Sequence, residues 1–354
     1  MNAMTDTAGR GEAGPVGDAF ACVDRHLATE TEARALALAL DLGWIDRLAV
    51  GSVPANRLPS AAGMPDTAVA LVLSLLSAAG VATPTPGGVA LTAAFRETLR
   101  FRDLLEARLW FLGEVSPDVH RHFGALLTDL PAFMERATVF ELFRYDRCFD
   151  VKPENLALSG RWVAYTTTLT RYEAPACWSR VDPRGATRLL DLGGNSGEFA
   201  RQACVVAPRL HATVFDLPVV CALGRRHVAD LPGGERLSFV SGDLRHDALP
   251  QGHDLVSFKS VLHDWPDEFA LAFVDRAIGA LAPGGRLVIF ERATIPLDRR
   301  RLSHAMSANL VFLPFFRDAR FYLDALARHG LGDIRCETVE LDMPFHLITG
   351  TKPA

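Results

Sequence analysis

His263 is the residue of this chain best placed by its neighbours to move a proton. It stands in Phe258-Lys-Ser-Val-Leu-His-Asp-Trp265, just past a short apolar run, with Asp264 beside it. A later apolar run, Arg286 to Phe290, ends in Glu291. An imidazole with a pKa near 6.5 accepts a proton at neutral pH, and a carboxylate on its far nitrogen fixes the tautomer and stabilises the imidazolium. The natural partner of such a base is a hydroxyl that is a poor nucleophile while protonated, such as a phenol with its pKa near 10. The chain has 11 histidines, so residue type alone says little. The acids around His263 are what single it out as a catalytic candidate, with Glu291 and Asp264.

A second constellation lies upstream. Arg188-Leu-Leu-Asp-Leu-Gly-Gly-Asn-Ser-Gly197 carries an apolar run into Asp191, then into Gly193, Gly194 and Gly197, and then into a helix-like segment. A further apolar run, Ala212 to Phe215, ends in Asp216 and is followed by Leu217 and Pro218. This is the layout of a Rossmann-type βαβ unit that holds an adenosine-containing cofactor. A nicotinamide dinucleotide calls for G-x-G-x-x-G, whose spacing brings the backbone up to a pyrophosphate. The D-x-G-G-x-x-G loop fits that spacing poorly and suits S-adenosylmethionine, which has only an amino-acid end and a sulfonium. The glycines let a ligand approach the backbone, and the helix N-terminus that follows favours its carboxylate. Asp216 is placed to accept both ribose hydroxyls. Gly242-Asp243-Leu244, after another apolar run, offers an acid to the adenine amino group and a leucine to pack on the ring. Any one such acid could simply cap a helix. The signal is that five successive apolar runs each end in a suitable group.

These residues need a scaffold that brings the ends of the runs together. Strands are expected at Arg188–Leu192, Ala212–Phe215, Leu237–Ser241, Leu255–Phe258 and Arg286–Phe290, with a terminal antiparallel pair at Asp333–Val339 and Phe345–Gly350. Helices are expected near Gly197–Val206, Val219–Ala229, Pro266–Ala280 and Ala319–His329. That alternation predicts an α/β fold over residues 183–354, a parallel sheet closed by a hairpin, with the ligand over the carboxyl ends of its strands. Residues 106–182 read as a helical, aromatic-rich linker and pocket region. Trp162 there, with Asn309, Phe312 and Phe316 later, is expected to wall a flat aromatic substrate.

Residues 18–105 read as a separate domain. Ala33–Trp44 and Thr67–Ala79 have helical patterning, and two short strands flank Pro84-Thr-Pro-Gly-Gly88, the order of a winged helix. The segment 66–79 carries neither Lys nor Arg. A recognition helix without cations cannot exploit a phosphate backbone, so a partner subunit is expected against it rather than DNA. Residues 1–17 read as a disordered tail.

Composition narrows the remaining classes. The chain has 354 residues, a net charge of -5 and 49% hydrophobic residues, which disfavours a nucleic-acid partner. Its 6 cysteines are scattered without a C-x-x-C pair, as expected of reduced thiols in the cytoplasm. No apolar run reaches a membrane-spanning length, so no membrane partner is expected. His304 is the lone histidine between Glu291 and His329 and nothing pairs it with His263, so no metal is expected.

Taken together, the motifs D-L-G-G-x-x-G, F-D-L-P, S-G-D-L, K-x-x-x-H-D-W-P-D-E and P-G-G-R-L-V-I-F-E resemble those of the metal-independent small-molecule O-methyltransferases, the hydroxyindole, caffeate and bacterial polyketide type. The resemblance covers nearly everything after residue 20. It implies a Rossmann-like class I methyltransferase sheet and a winged-helix domain that forms a homodimer. It also implies S-adenosylmethionine as methyl donor with S-adenosylhomocysteine as product, a cofactor contact from Lys259, and His263 as general base. The implied activity is methylation of a phenolic or enolic hydroxyl of an aromatic secondary metabolite. Carbon methylation of an activated ring and a cofactor-binding relative without methyl transfer are the alternatives. One segment departs from the pattern. Where the family shows G-G-x-E-R with a second acid near the base, this chain reads Phe312-Leu-Pro-Phe-Phe-Arg-Asp-Ala-Arg320, with Asp318 as its one acid.

Overall fold

The computed structural model describes residues 30–59, 63–296 and 303–354; the expected tail over 1–17 lies outside them. The chain divides into two compact units, with the boundary between Trp110 and Phe111.

The first unit holds helix α1 over 30–41, α2 (Trp44–Val50), α3 (Asp66–Ala78), an antiparallel pair β1 (Ala82–Thr85) and β2 (Gly88–Leu91), and α4 (Ala93–Thr98). The sequence pattern carries helix as far as Trp44 and marks Gly43 as a helix stop. Gly43 takes a φ of 72°, in the left-handed region, and the chain restarts there as α2. That break turns Trp44, Ile45 and Leu48 inward, where they are fully buried against Ala39 and Leu76. Thr92 starts α4, its hydroxyl accepting from the backbone N–H of Phe95 at 3.2 Å.

Helix α5 (Arg102–Thr128), kinked at His122, carries the chain across the boundary and is followed by α6 (Leu130–Arg136) and α7 (Pro153–Val181). Proline at the first position of α7 is the residue a helix start tolerates, since its missing N–H would have no partner there. Strand and helix then alternate: β3 (Arg188–Leu192), α8 (Glu198–Val206), β4 (His211–Asp216), α9 (Pro218–Val228), β5 (Leu237–Ser241), β6 (His253–Lys259), α10 (Asp267–Ala280) and β7 (Leu281–Arg292). The short α11 (His304–Ala308), then α12 (Ala319–Arg328), β8 (Gly332–Val339) and β9 (Phe345–Thr351) complete the chain.

The seven strands lie in the order β5-β4-β3-β6-β7-β9-β8. The first five are parallel, and β9 slots antiparallel between β7 and β8. Strand residues alternate between two buried layers. Leu189, Val214, Leu255 and Val288 pack with Trp178 of α7 and Phe199 of α8, while Leu190, Val256 and Ile289 pack with Phe273 of α10 and Tyr322 of α12. Helices on both faces explain why these strands read as continuous apolar runs rather than alternating ones. Strand β7 begins earlier than its apolar run because Leu281 pairs with His253, across a register shift between His253 and Leu255.

Between β3 and β6 the order of connection reverses, and a crevice opens there at the carboxyl ends of the strands. Asp191 and Ser257 face each other across that pair. The layer beneath is anchored by Trp178, 1% exposed, whose indole N–H donates to the Phe199 carbonyl at 2.9 Å. Trp178→Ala is expected to destabilise the fold by about 3–5 kcal/mol. Urea unfolding should show a lowered midpoint with an unchanged slope, and a midpoint equal to that of the parent protein would contradict this anchoring role.

Candidate active site

The crevice continues into a cavity walled by the strand ends, the inner face of α7 and the segment around residues 309–312. At the end of β3, Asp191 is fully buried. Ser257 Oγ donates to its Oδ1 at 2.6 Å, and Oδ2 has no protein partner. Burial pushes this carboxyl up to about 7. A Cβ at Gly194 would lie 2.6 Å from that Oδ2, so only glycine leaves the oxygen room. Gly193, at φ 63°, also lines the cavity, as do Asn195 and Ser196, which the sequence pattern treats as mere spacers. Gly197 does not line it. A Cβ there would meet the Phe239 ring at 2.9 Å, so this glycine serves the packing of α8 on β5 rather than the approach of a ligand.

Asp216 ends β4 with both oxygens engaged by backbone. The N–H of Asn195 donates to Oδ2 at 2.8 Å and that of Leu217 to Oδ1 at 2.7 Å. Burial nevertheless pushes it up to about 6. Leu217, Gly242, Asp243 and Leu244 line the same end. Asp243 is less open than its motif suggests, since it accepts the guanidinium of Arg245 at 2.6 and 3.0 Å. Burial pulls its pKa up, but Arg245 outweighs this and leaves it below the ordinary range.

Lys259 ends β6 inside a buried cluster. Its ammonium donates to Thr170 Oγ1 at 3.0 Å and pairs with Glu173, and Arg292 Nη2 donates to the same Glu173 at 3.1 Å. Burial lowers the Lys259 pKa against the pull of Glu173. Thr170, Glu173 and Arg292 are absent from the motifs. Helical periodicity holds the missing signal, because Trp162, Thr166, Thr170 and Glu173 fall on one stripe of α7.

His263 sits on a one-turn 3-10 helix, Leu262–Asp264, just past β6. Its Nδ1 lies 2.7 Å from Glu291 Oε2, while Glu291 Oε1 accepts the N–H groups of Val261 and Leu262 at 2.6 and 2.7 Å. Glu291 is fully buried behind the imidazole and off the cavity wall. Burial pushes its pKa up, but His263 and the two N–H groups bring it below the usual range. A neutral ring that donates from Nδ1 to this carboxylate has Nε2 as its acceptor, and His263 lines the cavity. Asp264 Oδ1 stands 3.4 Å from that Nε2, and its Oδ2 accepts the Tyr145 hydroxyl at 2.7 Å. Burial raises the Asp264 pKa, with His263 opposing.

One expectation near His263 is corrected, and the place of Asp318 is clear. Phe316 does not line the cavity; its ring packs behind His263, centroid to centroid 5.5 Å. Asp318 is the N-cap of α12, accepting from the Arg320 N–H at 2.8 Å, and does not reach the base. Trp162, Asn309 and Phe312 line the cavity, joined by Phe111, Phe143 and Tyr165. Phe143 bridges the wall, 6.2 Å from Trp162 and 5.7 Å from Phe312.

The raised Asp191 and Asp216 predict a pH signature. A carboxyl whose folded pKa exceeds its unfolded value near 3.9 stabilises the fold at low pH and loses that contribution as pH rises to the folded pKa. Without added ligand, stability should therefore decline between about pH 4 and 7 on this account. Asp191→Asn should flatten the decline in thermal unfolding across that range; an unaltered slope would contradict it.

Comparison with known proteins follows the geometry. The sequence model of an O-methyltransferase domain matches residues 170–319. Demethylspheroidene O-methyltransferase from Rhodobacter capsulatus is 35% identical over 138 residues, 39% of this chain and 34% of that protein. For several curated relatives the match likewise takes in only about a third of their length. The 3-amino-4-hydroxybenzoate 4-O-methyltransferase of Streptomyces cremeus aligns further, 31% identical over 272 residues, 73% of this chain and 70% of that protein. Human N-acetylserotonin methyltransferase, solved with S-adenosylmethionine, shares the fold at a TM-score of 0.75 and 20% identity, over 98% of this chain and 100% of that one. By its motifs, its sheet and the extent of the Streptomyces match, the chain belongs to the O-methyltransferase family.

Proposed function

We propose that this protein transfers a methyl group from S-adenosylmethionine to a phenolic or enolic hydroxyl of a small aromatic metabolite, with His263 as general base. The observation that carries the reading is the imidazole held at Nδ1 by buried Glu291, its other nitrogen turned to a cavity that also contains the acids at the ends of β3 and β4.

The cavity suits the cofactor chemically. S-adenosylmethionine, when bound, supplies a methyl group activated on a positively charged sulfur. Asp191 presents an unpartnered, buried carboxylate oxygen, a site that a cationic amino-acid end would satisfy. Asp216 is oriented by two backbone N–H groups to take ribose hydroxyls. Gly193 and Gly194 keep the loop low, and Leu217, Gly242, Asp243 and Leu244 offer the adenine end. The Lys259–Glu173–Arg292 cluster joins the floor to α7.

On the acceptor side, the aromatic wall holds a flat ring, and Asn309 adds a polar contact. His263 Nε2 takes the hydroxyl proton as the oxygen becomes the nucleophile, and Glu291 stabilises the imidazolium so formed. Glu291 is thus a positioning residue, while Asp264 lies beside the reacting nitrogen. Placement of the two reactants in line accounts for the rest of the acceleration. The relative from Streptomyces cremeus, named for a hydroxybenzoate, and the aromatic wall both support an aromatic acceptor from secondary metabolism.

We also infer that residues 18–105 form a winged-helix dimerisation domain, that 106–182 contribute the substrate pocket, and that 183–354 are catalytic. The cation-free α3 supports a protein partner over nucleic acid. Among the described residues no helix is long and apolar enough to cross a membrane. Cys148, Cys177, Cys204, Cys221 and Cys336 are free thiols, which supports a cytoplasmic setting.

His263→Ala is expected to abolish turnover while calorimetry still shows the parent affinity for S-adenosylmethionine; normal turnover would remove the base assignment. Asp216→Ala should weaken cofactor binding by about 1.5–3 kcal/mol through lost charge-assisted bonds. Equal affinity in the two proteins would rule out its ribose role. NMR of the product separates an O-methyl from a C-methyl group, and a carbon-bound methyl would overturn the hydroxyl acceptor.

A further inference from the structure

The turn that carries His263 is not stable by itself. Ser260 enters it at φ 54°, a left-handed conformation that costs a non-glycine residue free energy. A single 3-10 turn also leaves N–H groups unpaired at its start and carbonyls unpaired at its end. Glu291 captures the first set, at Val261 and Leu262. Arg317 holds the turn through its carbonyls. Its Nη1 donates to the Leu262 carbonyl at 2.7 Å, which also accepts the Trp265 N–H at 3.3 Å within the turn, and its Nη2 donates to the Trp265 carbonyl. Its Nε donates to Asp267 Oδ1 at 2.7 Å, on the first residue of α10. The guanidinium side chain is 11% exposed and lies over the Phe321 ring. The adjacent Phe316 packs on the imidazole itself.

We infer that Arg317 is a positioning residue for the proposed base, the cationic half of a two-ion clamp whose anionic half is Glu291. The inference rests on the reading of His263 as base. Glu291 accepts from the N–H groups of Val261 and Leu262, Arg317 donates to the carbonyls of Leu262 and Trp265, and His263 lies between these residues in the chain. A planar fork is needed because three acceptors on separate residues must be met at once; an ammonium has no such fixed geometry. Arg317 and Phe316 also follow Asn309 and Phe312 by a few residues, so the strand of chain that walls the acceptor site is the one that holds the turn.

The test compares Arg317→Met, Arg317→Lys, Asp267→Ala and His263→Ala in the full chain, with an O-methylatable phenol that the parent protein turns over. Arg317→Met should lower kcat at least tenfold, leave the acceptor KM and the S-adenosylmethionine Kd within about twofold, and displace the ascending limb of the pH–rate profile. Arg317→Lys should recover only part of kcat. Asp267→Ala, which frees the guanidinium without removing it, should lower kcat by a smaller factor with the same constancy of Kd, and it decides the question if Arg317→Met does not fold. Parent kcat in any folded Arg317→Met or Asp267→Ala protein overturns the inference, as does a loss of kcat matched by an equal loss of cofactor affinity. If His263→Ala is inactive while Arg317→Met is fully active, the positioning role alone fails. If His263→Ala keeps normal turnover, the base reading falls and takes the clamp with it.

Discussion

A single buried carboxylate organises this site. Glu291 ends β7 without access to solvent, and it accepts two backbone N–H groups and one imidazole N–H. Burying an unpaired carboxylate is very costly, and three donors offset that cost only if the turn after β6 takes one particular shape. The shape of the turn, the tautomer of His263 and the direction of its free nitrogen are therefore consequences of satisfying one anion. The parallel sheet makes this possible, because β6 and β7 are hydrogen-bonded neighbours whose carboxyl ends finish side by side.

The other end of the cavity works by the opposite logic. Asp191 and Asp216 are held where burial disfavours their charge, and Asp191 keeps one oxygen without a protein partner. Asp216 is satisfied by two backbone N–H groups, so of the two acids only Asp191 leaves a buried acceptor open. The end of the cavity behind His263 is internally satisfied, and the end at Asp191 is not. Lys259, Glu173 and Arg292 lie between the two as a mutually compensated cluster.

Much of this was legible in the sequence, because βα alternation and strand-end acids are local signals. Strands β3 and β5 have the bounds that their apolar runs predict; His263, Asp191 and Asp216 line one cavity, with Glu291 behind the imidazole. What escaped depends on contacts distant in sequence. Gly197 reads like its neighbouring glycines but answers to Phe239, more than forty residues later. Phe316 reads like a wall residue but packs against the His263 ring. The sequence does not single out Arg317, since two of its three partners are backbone carbonyls that have no residue type.

Helix α7 spans 29 residues with Pro175 inside it, lending Trp162 to the aromatic wall of the cavity, Thr170 and Glu173 to the cluster at Lys259, and Trp178 to the core beneath. Trp162, Thr170 and Glu173 all precede the proline, so a single regular stretch of helix bounds the aromatic part of the cavity and holds the ion cluster. Any displacement of that stretch at one of these places is passed along it to the other.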